Sequence, residues 1–394
     1  MNLKRWNIFL LISVFILWTY ADDKRANLSN FDISLDIYNA ISNTYDSLNQ
    51  SYNYNIDKKV SLKTKIHDLK EKILTFSNRN VRDTLNTNID SILILKNKTA
   101  DSIKEKQLIE KLNDYESQIE KTEKEIEVIQ RNTKAQKEKL DNESVYIKKC
   151  IKKYNGSLKL SFQGVDYNVF VANRDSCEIN MHWKNYKEER GFQNIQRLLN
   201  YLESQKNQPL MITNAGMYTP SLWPQGLFVD NRKEVIPIDS FSPKTDANFY
   251  LKPNGVFYID TLGMSHIEIT EDFQKRYQNK KIGVKYATQS GPMLLINGNI
   301  HHSFSPGSFN KKIRSGVGII DNKRTVFAIS LDEANFYDFA RLFRDIFGCQ
   351  DALFLDGAIS LMYLKDIAPN ILGGQFGPMI SVTPKNYKLE KLPK

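Results

Sequence analysis

All 18 Gly and all 12 Pro of this 394-residue chain fall beyond position 150, while residues 58–150 are dominated by Lys, Glu, Asn, Ile and Leu. A stretch that holds neither breaker can run as continuous helix, whereas one that holds them all must turn often. The chain therefore divides into a rod followed by a globule, and it is long enough for both.

From Leu108 the positions Leu108, Leu112, Tyr115, Ile119, Thr122, Ile126, Ile129, Thr133, Gln136 and Leu140 alternate steps of four and three. That spacing predicts a coiled-coil seam, weakened where Thr122, Thr133 and Gln136 sit on it. A second run, Leu62, Ile66, Leu69, Ile73 and Phe76, has the same spacing, and an apolar patch at 89–95 lies between the two. Either an antiparallel helical hairpin or a coil that self-associates satisfies the pattern. The rod reads as a spacer, with a partner-binding helix as the alternative.

Before the rod, Lys4 and Arg5 precede an apolar run over 6–21 that is broken only by Asn7, Ser13 and Thr19. The run is shorter than the roughly 20 residues of a membrane span, and Thr19 and Ala21 put small residues at a cleavage position. It predicts a signal peptide cut after Ala21, with a signal anchor to the membrane as the alternative. The expected division is signal peptide 1–21, helical coiled-coil stalk 22–150 and globular domain 151–394. The protein is expected to be exported, as a secreted, cell-surface or periplasmic molecule. Cys150, Cys177 and Cys349 are too few for a disulfide scaffold but allow one bridge. Cys177 with Cys349 is the favoured pair, and two free buried thiols are the alternative.

The net charge of +10 suits anionic partners such as phosphodiesters, acidic glycans or a membrane surface. Nucleic acid is not expected: the chain has no zinc-finger spacing, no aromatic RNA-binding signature and no dense Arg cluster. No cofactor is called for, and the absence of Asp-rich ion-binding loops predicts no metal.

Within the globule, period-two alternation at 158–162 and 167–172 around Gln163-Gly164 predicts a hairpin. Residues 191–205 carry Phe192, Ile195, Leu198, Leu199 and Leu202 on one helical face, and 333–347 carry Phe336, Phe339, Ala340, Phe343 and Phe347, with Asp332 as N-cap. Short strands are expected at 210–213, 226–229, 293–296, 317–320, 326–331, 353–355 and 379–382, and a hairpin over 250–259 turned at Pro253-Asn254-Gly255. Hairpins outnumber crossovers, so the fold class is α+β, a mixed, mostly antiparallel sheet with flanking helices behind an all-α coiled-coil rod.

Several polar residues sit where chemistry could be done. Asn214 ends a buried strand before the bend at Gly216, which suits a bond to a sugar hydroxyl or a phosphate oxygen, or else an Asx turn. Arg314 precedes a Gly-flanked strand and can offer a phosphate two parallel hydrogen bonds, or serve as one more base beside Lys311 and Lys312. Asp356 ends the apolar strand 353–355 against Gly357, where a carboxylate can stabilise an oxocarbenium-like transition state, attack, or activate water; a capping role is the alternative. Gln289 and Ser290 precede Gly291-Pro292 as candidate ligands, and His301 and His302 follow Asn297-Gly298 as candidates to protonate a leaving group or contact phosphate, or as solvated side chains.

Taken in order, Ile212-Thr-Asn214-Ala-Gly216-Met217-Tyr218, Gln289-Ser290-Gly291-Pro292-Met293 with Asn297-Gly298, Arg314-Ser315-Gly316-Val317-Gly318, and Ala352-Leu-Phe-Leu355-Asp356-Gly357 resemble the phosphodiester glycosidase family. The resemblance implies a hydrolase that cleaves the sugar–phosphate bond of a glycosyl phosphodiester such as an N-acetylglucosamine-1-phosphodiester, trimming a cell-surface glycan or exopolysaccharide. It implies Asp356 and Arg314 as catalytic residues, one acting at the anomeric carbon and the other holding phosphate. Asn214, Gly216, Gln289, Ser290, His302, Gly357 and Ser360 would form the substrate-binding set. The chain departs from the family at Ala358-Ile359, where relatives have Gly-Gly or Gly-Ala, which implies a narrower pocket floor. That departure supports the rival expectation of a non-catalytic glycan or phosphopolymer-binding module on a stalk.

Overall fold

The computed structural model describes residues 30–83, 91–185, 190–241, 247–357, 360–367 and 372–385. The expected signal segment and the Ala358-Ile359 departure lie outside these. The chain forms two units, and residues 30–36 and everything from Glu143 onward belong to the globular one. No described helix is long and apolar enough to cross a membrane.

The helical unit is built from the greater part of α1 (Asn30–Asp83) and of α2 (Ser91–Ile151). Lys59 meets Glu123 at 2.8 Å, Lys70 meets Glu116 at 3.3 Å, and Gln130 donates to the Tyr52 hydroxyl at 3.2 Å, so the two helices run antiparallel. Thr122, Ile126, Gln136 and Leu140 of the seam are buried, as are Leu62 and Leu69 of the second run. Thr122 is tolerated there because its hydroxyl donates back to Gln118 O at 2.7 Å, one turn earlier.

In the globular unit, β1 (Gly156–Phe162) and β2 (Val165–Asn173) form the expected hairpin. Gln163 and Gly164 close it at φ 53° and 71°, the left-handed pair that matches the twist of its strands. β3 (Cys177–His182) follows, then a small ribbon of β4 (Lys184–Asn185) and β5 (Arg190–Gly191). α3 (Ile195–Ser204) starts where the Asn194 side chain accepts from Arg197 N at 2.8 Å. Next come β6 (Met211–Asn214) and the hairpin of β7 (Phe228–Asp230) with β8 (Lys233–Ile236). β9 (Gly255–Asp260) pairs with β10 (Ser265–Ile269), and α4 (Thr270–Gln278) follows. Thereafter the chain runs through β11 (Val284–Ser290), β12 (Met293–Ile296), β13 (Asn299–Ile300), β14 (Ser315–Ile319) and β15 (Arg324–Ser330). α5 (Phe336–Arg341), with a π-helical turn over Leu342–Ile346, leads to β16 (Ala352–Asp356), β17 (Met362–Leu364) and β18 (Met379–Pro384).

Two local expectations are corrected. The hairpin placed over 250–259 is instead β9–β10, because buried Asn254 donates to Phe249 O at 2.9 Å and folds that segment back on itself before the strand begins. The last helix starts at Phe336 with Asn335 as its cap, not at 333 with Asp332. Ala334 is held extended by two backbone hydrogen bonds with Lys312, so no helix can form before Asn335.

The strands make a seven-stranded sheet (β1-β2-β15-β14-β16-β12-β13), a five-stranded sheet (β10-β9-β11-β7-β8) and a four-stranded sheet (β17-β6-β18-β3), with antiparallel pairing throughout these described strands. Phe170, Val317, Phe327 and Leu353 of the first sheet pack against Phe228, Phe257, Met211 and Ile380 of the other two, making the main core. Helices cover the outer faces: α3 over the four-stranded sheet through Ile195, Leu198 and Ile212, and α4 over the five-stranded one through Phe273 and Tyr258. α5 and its π turn cover the seven-stranded sheet, where a Cβ on Gly318 would come within 2.6 Å of the Phe343 ring.

The Cys177–Cys349 bridge does not form; both thiols are buried and free. Cys177 belongs to the core between the sheets, whereas Cys349 Sγ lies over Gly318 with Phe343, on the other face of the seven-stranded sheet.

Candidate active site

Three sheets end at one place. β6 ends at Asn214, β11 ends at Gln289 and Ser290, β14 begins at Ser315, and β16 ends at Asp356, directly opposite Ser315 in register. Gly216 allows this convergence: a Cβ there would lie 2.3 Å from Gln289 O, and its N–H donates to Thr288 Oγ1 at 3.1 Å.

Ser315 is the hub. Its Oγ accepts from Asn214 Nδ2 at 3.0 Å and from Asp356 N at 3.2 Å, and lies 2.9 Å from Ser360 Oγ. With both lone pairs taken, its own proton is left for Ser360 Oγ or for Asp356 O at 3.2 Å. Asn214, Ser315 and Ser360 are all buried, so this cluster is shielded from bulk solvent and its members fix one another.

Asp356 stands at the edge of that cluster. Oδ1 accepts from Gly357 N at 2.7 Å, and among the described residues Oδ2 has no hydrogen-bond partner. Burial raises the carboxyl above the ordinary Asp range, with the Gly357 N–H acting in the opposite sense. Burial and then the Asp356 charge push the Tyr218 hydroxyl up to about 12, and it donates to Gln375 O at 2.8 Å.

The remaining candidates are placed differently. Gln289 is fully buried with its amide engaged throughout: Oε1 accepts from Leu227 N at 3.0 Å and Asp239 N at 2.9 Å, and Nε2 donates to Asp239 O at 2.7 Å. It laces loops together and offers nothing to a ligand. Ser290 donates to Leu355 O at 2.7 Å and so holds β16 just before Asp356. His302 is exposed and stacks on His301 at 4.6 Å. Because His301 Nδ1 accepts from Ser303 N at 3.2 Å, its Nε2 is the protonated nitrogen and donates to Lys252 O at 3.1 Å.

Arg314 is 1% exposed and points to the α5 side, away from its neighbour Ser315, as successive residues of an extended strand do. Nε donates to Ala334 O at 2.7 Å, Nη2 donates to Asn310 O at 2.8 Å, and the guanidinium lies over the Phe336 ring. Burial lowers its pKa to about 10, with only Tyr167 opposing. The structure thus brings together Asn214, Gly216, Ser290, Asp356, Gly357 and Ser360, and does not bring Arg314 to Asp356. Sequence reasoning missed Ser315 and Tyr218 as site residues, although each lies in a quoted segment. The expected strand at 317–320 begins two residues too late to include Ser315, and nothing in the sequence announces its pairing opposite Asp356. Among the described residues no group of three or more His, Cys, Asp or Glu is arranged to hold a metal.

Residues 207–376 match the family described as phosphodiester glycosidase. An uncharacterized protein of Escherichia coli, YigE, is 32% identical over 228 residues, covering 57% of this chain and 85% of that one. Among solved structures, the catalytic domain of zebrafish N-acetylglucosamine-1-phosphodiester alpha-N-acetylglucosaminidase, auto-inhibited by its pro-peptide, is 12% identical with a TM-score of 0.39, over 57% of this chain and 81% of that one. A putative exported protein from Burkholderia pseudomallei is 10% identical with a TM-score of 0.34, over 56% and 74%.

Proposed function

This chain belongs to the phosphodiester glycosidase family, and on that premise we propose that it is an exported hydrolase that cleaves the bond between an anomeric carbon and phosphate in a glycosyl phosphodiester of the N-acetylglucosamine-1-phosphodiester type. The observation that carries the proposal is Asp356, whose Oδ2 has no partner among the described residues and which stands at the rim of a buried polar cluster while burial raises its pKa. A phosphate monoester leaves as a weak base, so the departing oxygen needs little help from an acid. The demand falls on the attacking water. Asp356 Oδ2 takes a proton from that water as its oxygen bonds to the anomeric carbon and the carbon–oxygen bond to phosphate breaks. A carboxylate with a raised pKa is a stronger base for this step than an ordinary one.

In this reading Asn214, Ser315 and Ser360 hold the end of β16 and the loop after it, so that the carboxyl keeps one position. Gly216 lets the loop carrying Tyr218 close over the site. Arg314 acts as a strut behind the sheet, and phosphate is held elsewhere. A cell-surface or secreted phosphate-linked glycan is the natural substrate class, and the apolar run over 6–21 is the export signal.

The test is turnover. Incubating the purified protein with an aryl N-acetylglucosaminyl phosphodiester and with UDP-N-acetylglucosamine should release free sugar from at least one, and Asp356→Asn should abolish that release. A folded protein that binds such compounds but never turns them over would instead be a glycan-binding module on a helical stalk.

A further inference from the structure

A second concave site lies well apart in sequence from the Asp356 cluster and draws on all three sheets. A groove of about 220 Å³ is lined by Arg174 after β2, Lys323 before β15, Lys285 on β11 and Lys385 after β18. Four separate segments therefore deliver one cation each to the same depression. The acids nearby are Glu178 in its lining and Asp175, which pairs with Lys323 at 2.7 Å. Four cations thus face two carboxylates, and Lys285 and Lys385 have no carboxylate within ion-pair distance among the described residues. Thr261 and Ser265 also line the groove and add neutral hydroxyl donors.

Like charges gathered in a concave surface raise the local potential and concentrate counter-ions there. Gathering them costs free energy through mutual repulsion, which a bound anion relieves. The cations come from strand ends and edges of three different sheets rather than from one turn, which suits several anionic groups in a row better than a single point charge. No aromatic ring lines the groove among the described residues, so bases would have nothing to stack on and single-stranded nucleic acid is a poor fit. Its concavity suits an inserted chain better than a flat membrane.

We infer that this groove binds a linear polyanion with repeated phosphate groups, the chemistry of a phosphate-linked glycan chain. The site is separate from Asp356 and needs no turnover, so it stands or falls independently of the proposed hydrolysis.

Linear inorganic polyphosphate, titrated calorimetrically into the full chain at low and at physiological salt, tests this. The parent should bind, with an affinity that falls as salt rises. Lys285→Glu combined with Lys385→Glu should weaken binding by about tenfold or more and flatten the salt dependence. Lys121→Glu combined with Lys233→Glu changes the net charge equally at exposed sites outside the groove and should keep the parent's affinity within about twofold. No binding by the parent, or equal losses in the two double variants, overturns the inference. Tighter binding to a single-stranded oligonucleotide or to phosphatidylglycerol vesicles than to polyphosphate overturns it as well.

Discussion

The guanidinium carbon of Arg314 sits 3.5 Å from the centroid of the Phe336 ring. Phe336 in turn stacks on Phe304 at 4.7 Å, Phe304 on His301 at 4.8 Å, and His301 on His302 at 4.6 Å. Five flat groups form one column that pins the loop between β13 and β14 against the first turn of α5. A desolvated cation over a ring contributes roughly 2 kcal/mol, and the hydrogen bonds from Arg314 to Ala334 and Asn310 add to this. Arg314→Lys should therefore cost about 2 to 4 kcal/mol, seen as a melting point lower by roughly 5 to 15 °C for a domain of this size. If melting is unchanged and only the Michaelis constant rises, the guanidinium holds substrate after all.

Asp356 should show the opposite balance. Its folded pKa lies above its unfolded one, so the folded state binds more protons between the two values and loses stability as pH rises through that window. Asp356→Asn removes that penalty. At pH 7 the variant should melt at or above the parent, and the difference should vanish well below the ordinary carboxylate pKa of about 3.9. Its turnover should fall at least about a hundredfold with little change in substrate affinity. Scanning calorimetry at the two pH values, with steady-state kinetics, checks both halves, and near-normal turnover by a stable variant would remove Asp356 from the mechanism.

Ser315→Ala deletes the acceptor used by Asn214 Nδ2 and Asp356 N. Among the described residues the buried Asn214 Nδ2 is then left with only Ala215 O at 3.4 Å. A loss of about 1 to 3 kcal/mol is expected, together with slower turnover, since the end of β16 loses its tether. Ser315→Cys, which keeps the volume, should recover packing but not the full rate.

The end of α2 supplies a further test. Ile147 and Ile151 are 0% and 1% exposed, and Ser144 Oγ donates to Asp345 O at 2.8 Å. A chain starting at Tyr154 gives up these contacts, at about 1.5 to 3 kcal/mol for each Ile side chain. It should melt well below one starting at Glu143. Equal melting points would show that the last turns of α2 are dispensable to the globular unit.

What was legible in the sequence was local. The Gln163-Gly164 turn, the apolar face of α3 and the breaker-free helices follow from spacing and turn chemistry alone, and each is found where expected. What was not legible depends on partners remote in the chain. The start of α5 is set by backbone bonds from Lys312 to Ala334, and nothing around Asp332 announces them. Gln289 and Asn214 look equally available on paper. Only the fold shows that the Gln289 amide is consumed by Leu227 and Asp239 while Asn214 is turned toward Ser315. Arg314 is the sharpest case, because the planar fork that suits a phosphate also suits two carbonyls and a ring.

Because Asn214, Ser315 and Asp356 come from strands of two sheets, and the Gly216 loop rests on a strand of the third, the chemistry exists only after every layer has docked. Mild denaturant that loosens one sheet should silence the protein before the others melt. On the proposed reading of an exported hydrolase, a chain threaded unfolded through a channel would be inert on the way, and would switch on only as a finished object on the far side.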